Sequence, residues 1–271
     1  SRRLWFSYAA PAEGGNHTAV ATATLSADNS ALEGVEQIFA QVPVYDGKLH
    51  FGSRLVHDGE GNLFVTLGER SDVPIRDTAQ QDDNHLGKLL RIDAMTGAPA
   101  EGNPGLGLPE VWAKGFRNVQ AAARDAQGRL WTVEHGPKGG DELNRPEAGR
   151  NYGWPVITYG LDYSGAPINE GITAKDGMEQ PVYYWDPVIA PSGMVFYAGE
   201  MFPEWERDIL IGNLQTDKAF TRLRLDGDLV AGEARYLDGV GRVRDIAVAT
   251  DGAVMLLTDE DNGALLRVSR E

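Results

Sequence analysis

The sequence predicts an all-β chain folded as a β-propeller. Three observations carry that expectation: a hairpin phrase that recurs, a composition rich in glycine and proline, and the lack of any sustained helical period. The 271 residues include 33 glycines and 14 prolines. That composition suits many short strands joined by tight turns. Without a run of eighteen apolar residues, no membrane-spanning helix is expected.

Taken in order, residues 3–9 (RLWFSYA) open the chain as a second-strand phrase with no partner strand before it. Residues 53–69 (SRLVHDGEGNLFVTLGE) give the full grammar: an apolar strand, a turn built on Asp and Gly, then a second apolar strand with a polar end. Residues 120–136 (QAAARDAQGRLWTVEHG) and 245–260 (DIAVATDGAVMLLTDE) repeat it. A looser copy spans 193–214, where 194–197 and 209–211 flank a longer connection. Outer strands are expected at 88–93, 220–225 and 265–269, and long loops at 71–86 and 136–178. Each small sheet would bury its faces against its neighbours, as radial repeats do. About five blade phrases are present, the first incomplete, within a single domain over 1–271 that lacks N-terminal blade material. A β-sandwich is the runner-up.

The formal charge of −15 repels phosphate backbones, so nucleic acid is not an expected partner. Acidic side chains and loop carbonyls suit a hard cation such as Ca²⁺. The absence of cysteine excludes disulfides, thiolate metal sites and a cysteine nucleophile.

The candidate chemistry lies in three places. Lys114 to Pro155 contains KGFRNVQ, VEHGPKGGDELN and GRNYGWP, with Arg117 and Asn118, the Gly136-Pro137 turn, and a Gly-rich acidic loop from Lys138 to Glu142. Carbonyls around Gly136 and Pro137, with the Glu142 carboxylate, are hard oxygen donors; a glycine turn with solvated acids is the plainer reading. His50 stands just before a strand and Glu69 closes its hairpin partner, so the two meet at one end of that hairpin. A histidine there can act as a general base, with the carboxylate orienting it. Arg242 and Arg244, at i and i+2 of a strand, share one face and suit a ligand with several carboxylates. A surface pair balancing an acidic chain is equally open.

Taken together, H-F-G-x-R-L-V, G-F-R-N-x-Q, E-H-G-P-x-G-G-D-E-L-N, N-Y-G-W-P and G-x-R-x-R-D, in this order, resemble the soluble PQQ-dependent aldose (glucose/sorbosone) sugar dehydrogenases, six-bladed propellers of the quinoprotein type. The resemblance implies PQQ and Ca²⁺ as cofactors and an aldose oxidised at C1. It implies His50 as catalytic base, Glu69 as its acidic partner and Arg117 as the residue that stabilises charge on the reduced quinone. Asn118, Arg242 and Arg244 are implied to contact PQQ, and the carbonyls of Gly136 and Pro137 to hold the cofactor's Ca²⁺. Glu142 and the Tyr152 carbonyl are implied at a second, structural Ca²⁺, and Trp185 with 190–193 (APSG) at the same mouth. Two departures stand out. Some members carry a lysine where this chain has Gln215, with Lys218 the nearest substitute, and the family's N-terminal part is absent. A Ca²⁺-dependent lactonase and a non-catalytic Ca²⁺-binding propeller remain the alternatives. The resemblance further implies a periplasmic or secreted protein whose signal preceded this segment, as monomer or homodimer, with the electron acceptor left open.

Overall fold

The computed structural model describes residues 2–270 apart from 216 and 217, and of Lys218 the backbone alone. Its described strands form five antiparallel sheets, each taking its strands in chain order. The first holds β1 (Arg3–Ala12), β2 (Gly15–Leu25) and β3 (Leu32–Ala40). The second holds β4 (Gly52–His57), β5 (Asn62–Leu67), β6 (Lys88–Asp93) and β7 (Val111–Lys114). The third is β8 (Val119–Arg124), β9 (Leu130–Glu134), β10 (Asp141–Asn144) and β11 (Tyr183–Trp185). The fourth is β12 (Pro191–Phe196), β13 (Ile209–Asn213), β14 (Lys218–Asp226) and β15 (Leu229–Asp238). The fifth is β16 (Val243–Val248), β17 (Val254–Thr258) and β18 (Leu265–Val268). These are the five blades that the repeated phrase predicts.

The Asp–Gly turns show why the phrase recurs. Asp58 Oδ1 accepts the amides of Glu60 and Asn62 at 2.7 and 3.0 Å, and Gly61 supplies the left-handed residue at φ +99°. In the third sheet Asp125 Oδ1 accepts from Gln127 and Arg129 at 3.0 and 2.9 Å, with Gly128 at φ +80°. An arginine holds the other carboxylate oxygen each time: Arg91 on Asp58 at 2.8 Å and Arg129 on Asp125 at 2.7 Å. In the fifth sheet Arg267 pairs with Asp251 at 2.5 Å.

Three departures from the sequence expectation have physical causes. The opening strand runs on to Ala12 and is followed by two unpredicted partners, β2 and β3. β2 alternates Thr with Ala and Val, too weak a contrast to read as a strand. The 71–86 loop contains one helical turn, α1 (Val73–Arg76), and a 3₁₀ turn over Asp77–Gln80. The 136–178 segment is not one long loop: β10 begins at Asp141, so the acidic residues expected in a solvated loop form the third strand of a sheet.

The chain divides into two compact units. The first contains residues up to Val119 with Glu147–Ile157 and Ala174–Glu179; the second contains Gln120–Pro146, Thr158–Thr173 and the remainder from Gln180. In the first unit Val20, Phe39, Val65, Leu67, Leu90 and Ile92 form a common core for the first two sheets. In the second, Trp131, Leu143, Trp185, Met194 and Ile211 pack the third sheet on the fourth, and Tyr197, Trp205, Phe220, Ile246 and Leu256 pack the fourth on the fifth. Each such large apolar side chain contributes about 1.5–3 kcal/mol on burial. Among the described residues no helix is long and apolar enough to cross a membrane.

Candidate active site

In the first unit the β4–β5 hairpin brings His50 and Glu69 together. Gly52 faces Leu67 in the register, and the Gly68 amide donates to the Phe51 carbonyl at 3.2 Å. Gly68 must be glycine, because a Cβ there would lie 2.0 Å from the His50 carbonyl oxygen. His50 takes a left-handed backbone at φ +47° and places Nδ1 in direct hydrogen-bond contact with Glu69 Oε1. The glutamate is 1% exposed and the histidine side chain 12%. Glu69 Oε2 is buried without a hydrogen-bond partner in the structure, so the carboxylate's hydrogen bonding is directed at the imidazole. With Nδ1–H donating to Glu69, Nε2 carries the lone pair. Burial lowers the His50 pKa below its ordinary 6.5; the hydrogen bond it donates to Glu69 opposes this, and the positive charges of Arg117 and Arg70 add to it. The ring is therefore neutral at physiological pH.

Arg117 and Asn118 join this group. The Arg117 carbonyl accepts the Glu69 amide at 3.0 Å, and its guanidinium lies 5.2 Å from the Trp154 ring centroid. Asn118 Oδ1 accepts the Gly52 amide at 3.3 Å. Tyr152 is 7% exposed, its ring stacked on Phe116 at 4.9 Å and its hydroxyl accepting the Glu147 amide. The N-Y-G-W-P phrase is held by Gln80, which forms a reciprocal amide pair with Asn151 at 2.7 and 3.1 Å and donates to the Trp154 carbonyl at 2.7 Å.

The second unit carries the other predicted residues. Asp141, which the sequence places only within the acidic loop, organises the Gly136-Pro137 turn: Oδ1 accepts the Gly136 amide at 2.8 Å, and Oδ2 those of Ile189 and Ala190 at 2.8 and 2.7 Å. Glu142 stands directly opposite Glu134 in the β9–β10 register, and both accept from the Asn144 amide at 3.1 and 3.2 Å. Burial, and then the Glu134 charge, push the Glu142 pKa up to about 8. These are not free surface acids but a facing carboxylate pair, Glu134 buried and Glu142 partly buried.

Arg242, just before β16, and Arg244, within it, converge on one acceptor, Asp259 Oδ2, at 3.1 and 2.6 Å. Arg242 also donates to the Leu214 carbonyl at 2.9 Å, beside the exposed Gln215. The Lys218 side chain lies outside the described residues. Trp185 is 2% exposed in the apolar core, with Nε1 donating to Glu233 at 3.1 Å; its surroundings are those of a packing residue. Asp259 and Arg70 were missed in the sequence because a lone acid and a lone arginine ordinarily mark solvent, although both adjoin residues already singled out.

This all-β architecture is shared with propeller oxidoreductases acting on sugars. The chain belongs to the glucose/sorbosone dehydrogenase family, whose model matches residues 1–267. It is 42% identical to the aldose sugar dehydrogenase YliI of Escherichia coli, over 99% of this chain and 73% of that one. A crystal structure of a glucose dehydrogenase superposes with a TM-score of 0.94 at 44% identity, covering all of this chain and 79% of that one. The PQQ-bound aldose sugar dehydrogenase of Streptomyces coelicolor superposes at 0.77 with 25% identity, covering 99% of this chain and 75% of that one.

Proposed function

We propose that this protein oxidises aldose sugars at C1 to the corresponding lactones, with PQQ as oxidant and Ca²⁺ as the ion that binds it. The observation that carries the reading is the buried His50–Glu69 pair, with the ring held neutral beside Arg117. Family membership and the PQQ-bound relative support the choice of substrate class and cofactor.

The residues present fit both groups. Two guanidinium groups that already converge on one carboxylate oxygen have the donors that a polycarboxylate such as PQQ needs. The Gly136 and Pro137 carbonyls, fixed from behind by Asp141, are hard donors for one Ca²⁺. Glu142, facing a second carboxylate, would be a ligand for another, and the Tyr152 carbonyl is a further hard donor. When bound, PQQ would supply two-electron oxidising power at the sugar C1, and Ca²⁺ would supply Lewis acidity.

The chain's own residues do the rest. His50 Nε2 takes the proton of the anomeric hydroxyl, and Glu69 holds the ring in the required tautomer and stabilises the imidazolium that forms. Arg117 offers positive charge where negative charge develops, and Asn118 an amide to the cofactor. Arg242 and Arg244 bind its carboxylates. A periplasmic or secreted location goes with this reading.

The test is titration of the apoprotein with PQQ in the presence of Ca²⁺, followed through the quinone absorbance, with glucose added last. Saturable binding and then reduction is the expected result; saturable binding with no reduction by any aldose would refute it. Replacing both Arg242 and Arg244 by alanine should weaken PQQ binding by about 10²-fold or more, with unchanged melting because both are partly exposed. Parent-like affinity would confine the pair to Asp259.

A further inference from the structure

We propose that Arg70 is a positioning residue for His50: its guanidinium clamps the left-handed loop that presents the imidazole, from the same strand end that carries Glu69. The proposal rests on His50 being the base.

Arg70 is 1% exposed, and a buried guanidinium is stable only when its donors are satisfied. Nε donates to the Leu49 carbonyl at 3.0 Å, and Nη2 to the Gly47 carbonyl at 2.5 Å and to Asn16 Oδ1 at 2.6 Å. The planar group lies 4.0 Å from the centroid of the Phe51 ring. Arg70 therefore grips the chain on both sides of His50, through Gly47 and Leu49 before it and Phe51 after it. Asn16 closes the clamp by donating its own amide to the Gly47 carbonyl at 3.0 Å.

Consecutive residues of an extended strand point to opposite faces, so Glu69 and Arg70 would ordinarily diverge. Arg70 instead has φ +73° and Ser71 +77°, and this reversal turns the guanidinium back onto the loop that Glu69 already touches. The next contact reinforces it: Tyr45, whose ring lies 5.9 Å from the guanidinium carbon, donates its hydroxyl to Asp72 at 2.6 Å. Gly68 meets the His50 carbonyl, Glu69 the ring and Arg70 the flanking carbonyls. A guanidinium is needed because one planar fork reaches two carbonyls and stacks on a ring at once.

The test compares Arg70→Met and Arg70→Lys with the parent, reading kcat, KM and the His50 imidazole titration by NMR of the apoprotein. Arg70→Met should lower kcat by about ten-fold to 10²-fold, the range a misplaced reacting group costs, while KM stays near the parent value. It should also raise the His50 titration toward its ordinary 6.5, because a nearby positive charge is lost and water enters. Arg70→Lys keeps the charge but cannot bridge both carbonyls, and should fall between. Unchanged kcat and unchanged titration in a folded Arg70→Met protein overturn the proposal. Should that variant not fold, parent-like kcat and titration in Arg70→Lys overturn it instead. Should the parent oxidise no sugar, the His50 titration decides alone: a shift upholds the clamp whatever becomes of the base, and none overturns it.

Discussion

His50→Ala is expected to bind PQQ nearly as the parent does while turnover falls by about 10²–10⁴-fold, the usual contribution of a positioned general base. The separation follows from the contacts: His50 bonds to Glu69, whereas the residues assigned to the cofactor's carboxylates are Arg242 and Arg244. The pH profile gives a second reading. Burial depresses the His50 pKa below 6.5, so the neutral, proton-accepting ring persists to lower pH than a free histidine would allow. In the parent, kcat/KM should stay level from neutrality downward and decline only as pH falls through that depressed value. The alanine variant should lack this acidic limb. Parent-like turnover, or an unchanged limb in the variant, would remove His50 from the chemistry. The same depression makes a folding contribution of matching sign: it is present above 6.5 and lost as pH falls through the folded value.

Asp141→Ala is expected to be the most damaging single change in the second unit. Its carboxylate is 1% exposed and accepts three backbone amides, those of Gly136, Ile189 and Ala190. Removing it strands these donors, and each buried unsatisfied group costs about 1–3 kcal/mol. A loss of about 3 kcal/mol or more should lower the melting temperature by roughly 6–12 °C. The Gly136 and Pro137 carbonyls would lose their backing, so Ca²⁺-dependent PQQ binding should fall with stability. Asp141→Asn, which keeps one acceptor oxygen, should lose less. A variant that melts with the parent would show that the turn finds other acceptors.

Much of this was legible before any coordinates. The Asp–Gly turns predicted the blade hairpins because a carboxylate that caps two amides and a residue free to take positive φ are local requirements. His50 and Glu69 could be paired from hairpin geometry alone, since only the turn lies between their strands. What escaped depends on register and burial. Asp141 and Glu142 read as a solvated loop because acids ordinarily mark water; only pairing with β9 reveals that Glu142 stands opposite Glu134 on the neighbouring strand. Arg70 is invisible for the opposite reason. Its partners are main-chain carbonyls, which leave no trace in side-chain identity, and its backbone reversal is not encoded by a glycine. The burial of Trp185 in the apolar core is likewise set by packing between sheets, which its place in a phrase does not reveal.

The corner carboxylates of the blades act as a shared acid fuse. Burial works to raise the Asp58 pKa, but hydrogen bonds from Asn62, Glu60 and Arg91 outweigh it and hold it at about 2. Asp125 is lowered in the same way, against burial, by Trp131 and Arg129, and Asp251 by Arg267. A depressed folded pKa gives stability that is present above the unfolded value and lost as pH falls through the folded one. All three carboxylates should therefore stay ionised through mild acidity and lose their contribution only below about pH 4. Acid unfolding followed by tryptophan fluorescence and by circular dichroism should give coincident transitions there. Blades that share a turn chemistry share its sensitivity to acid, so the second, third and fifth sheets should loosen together.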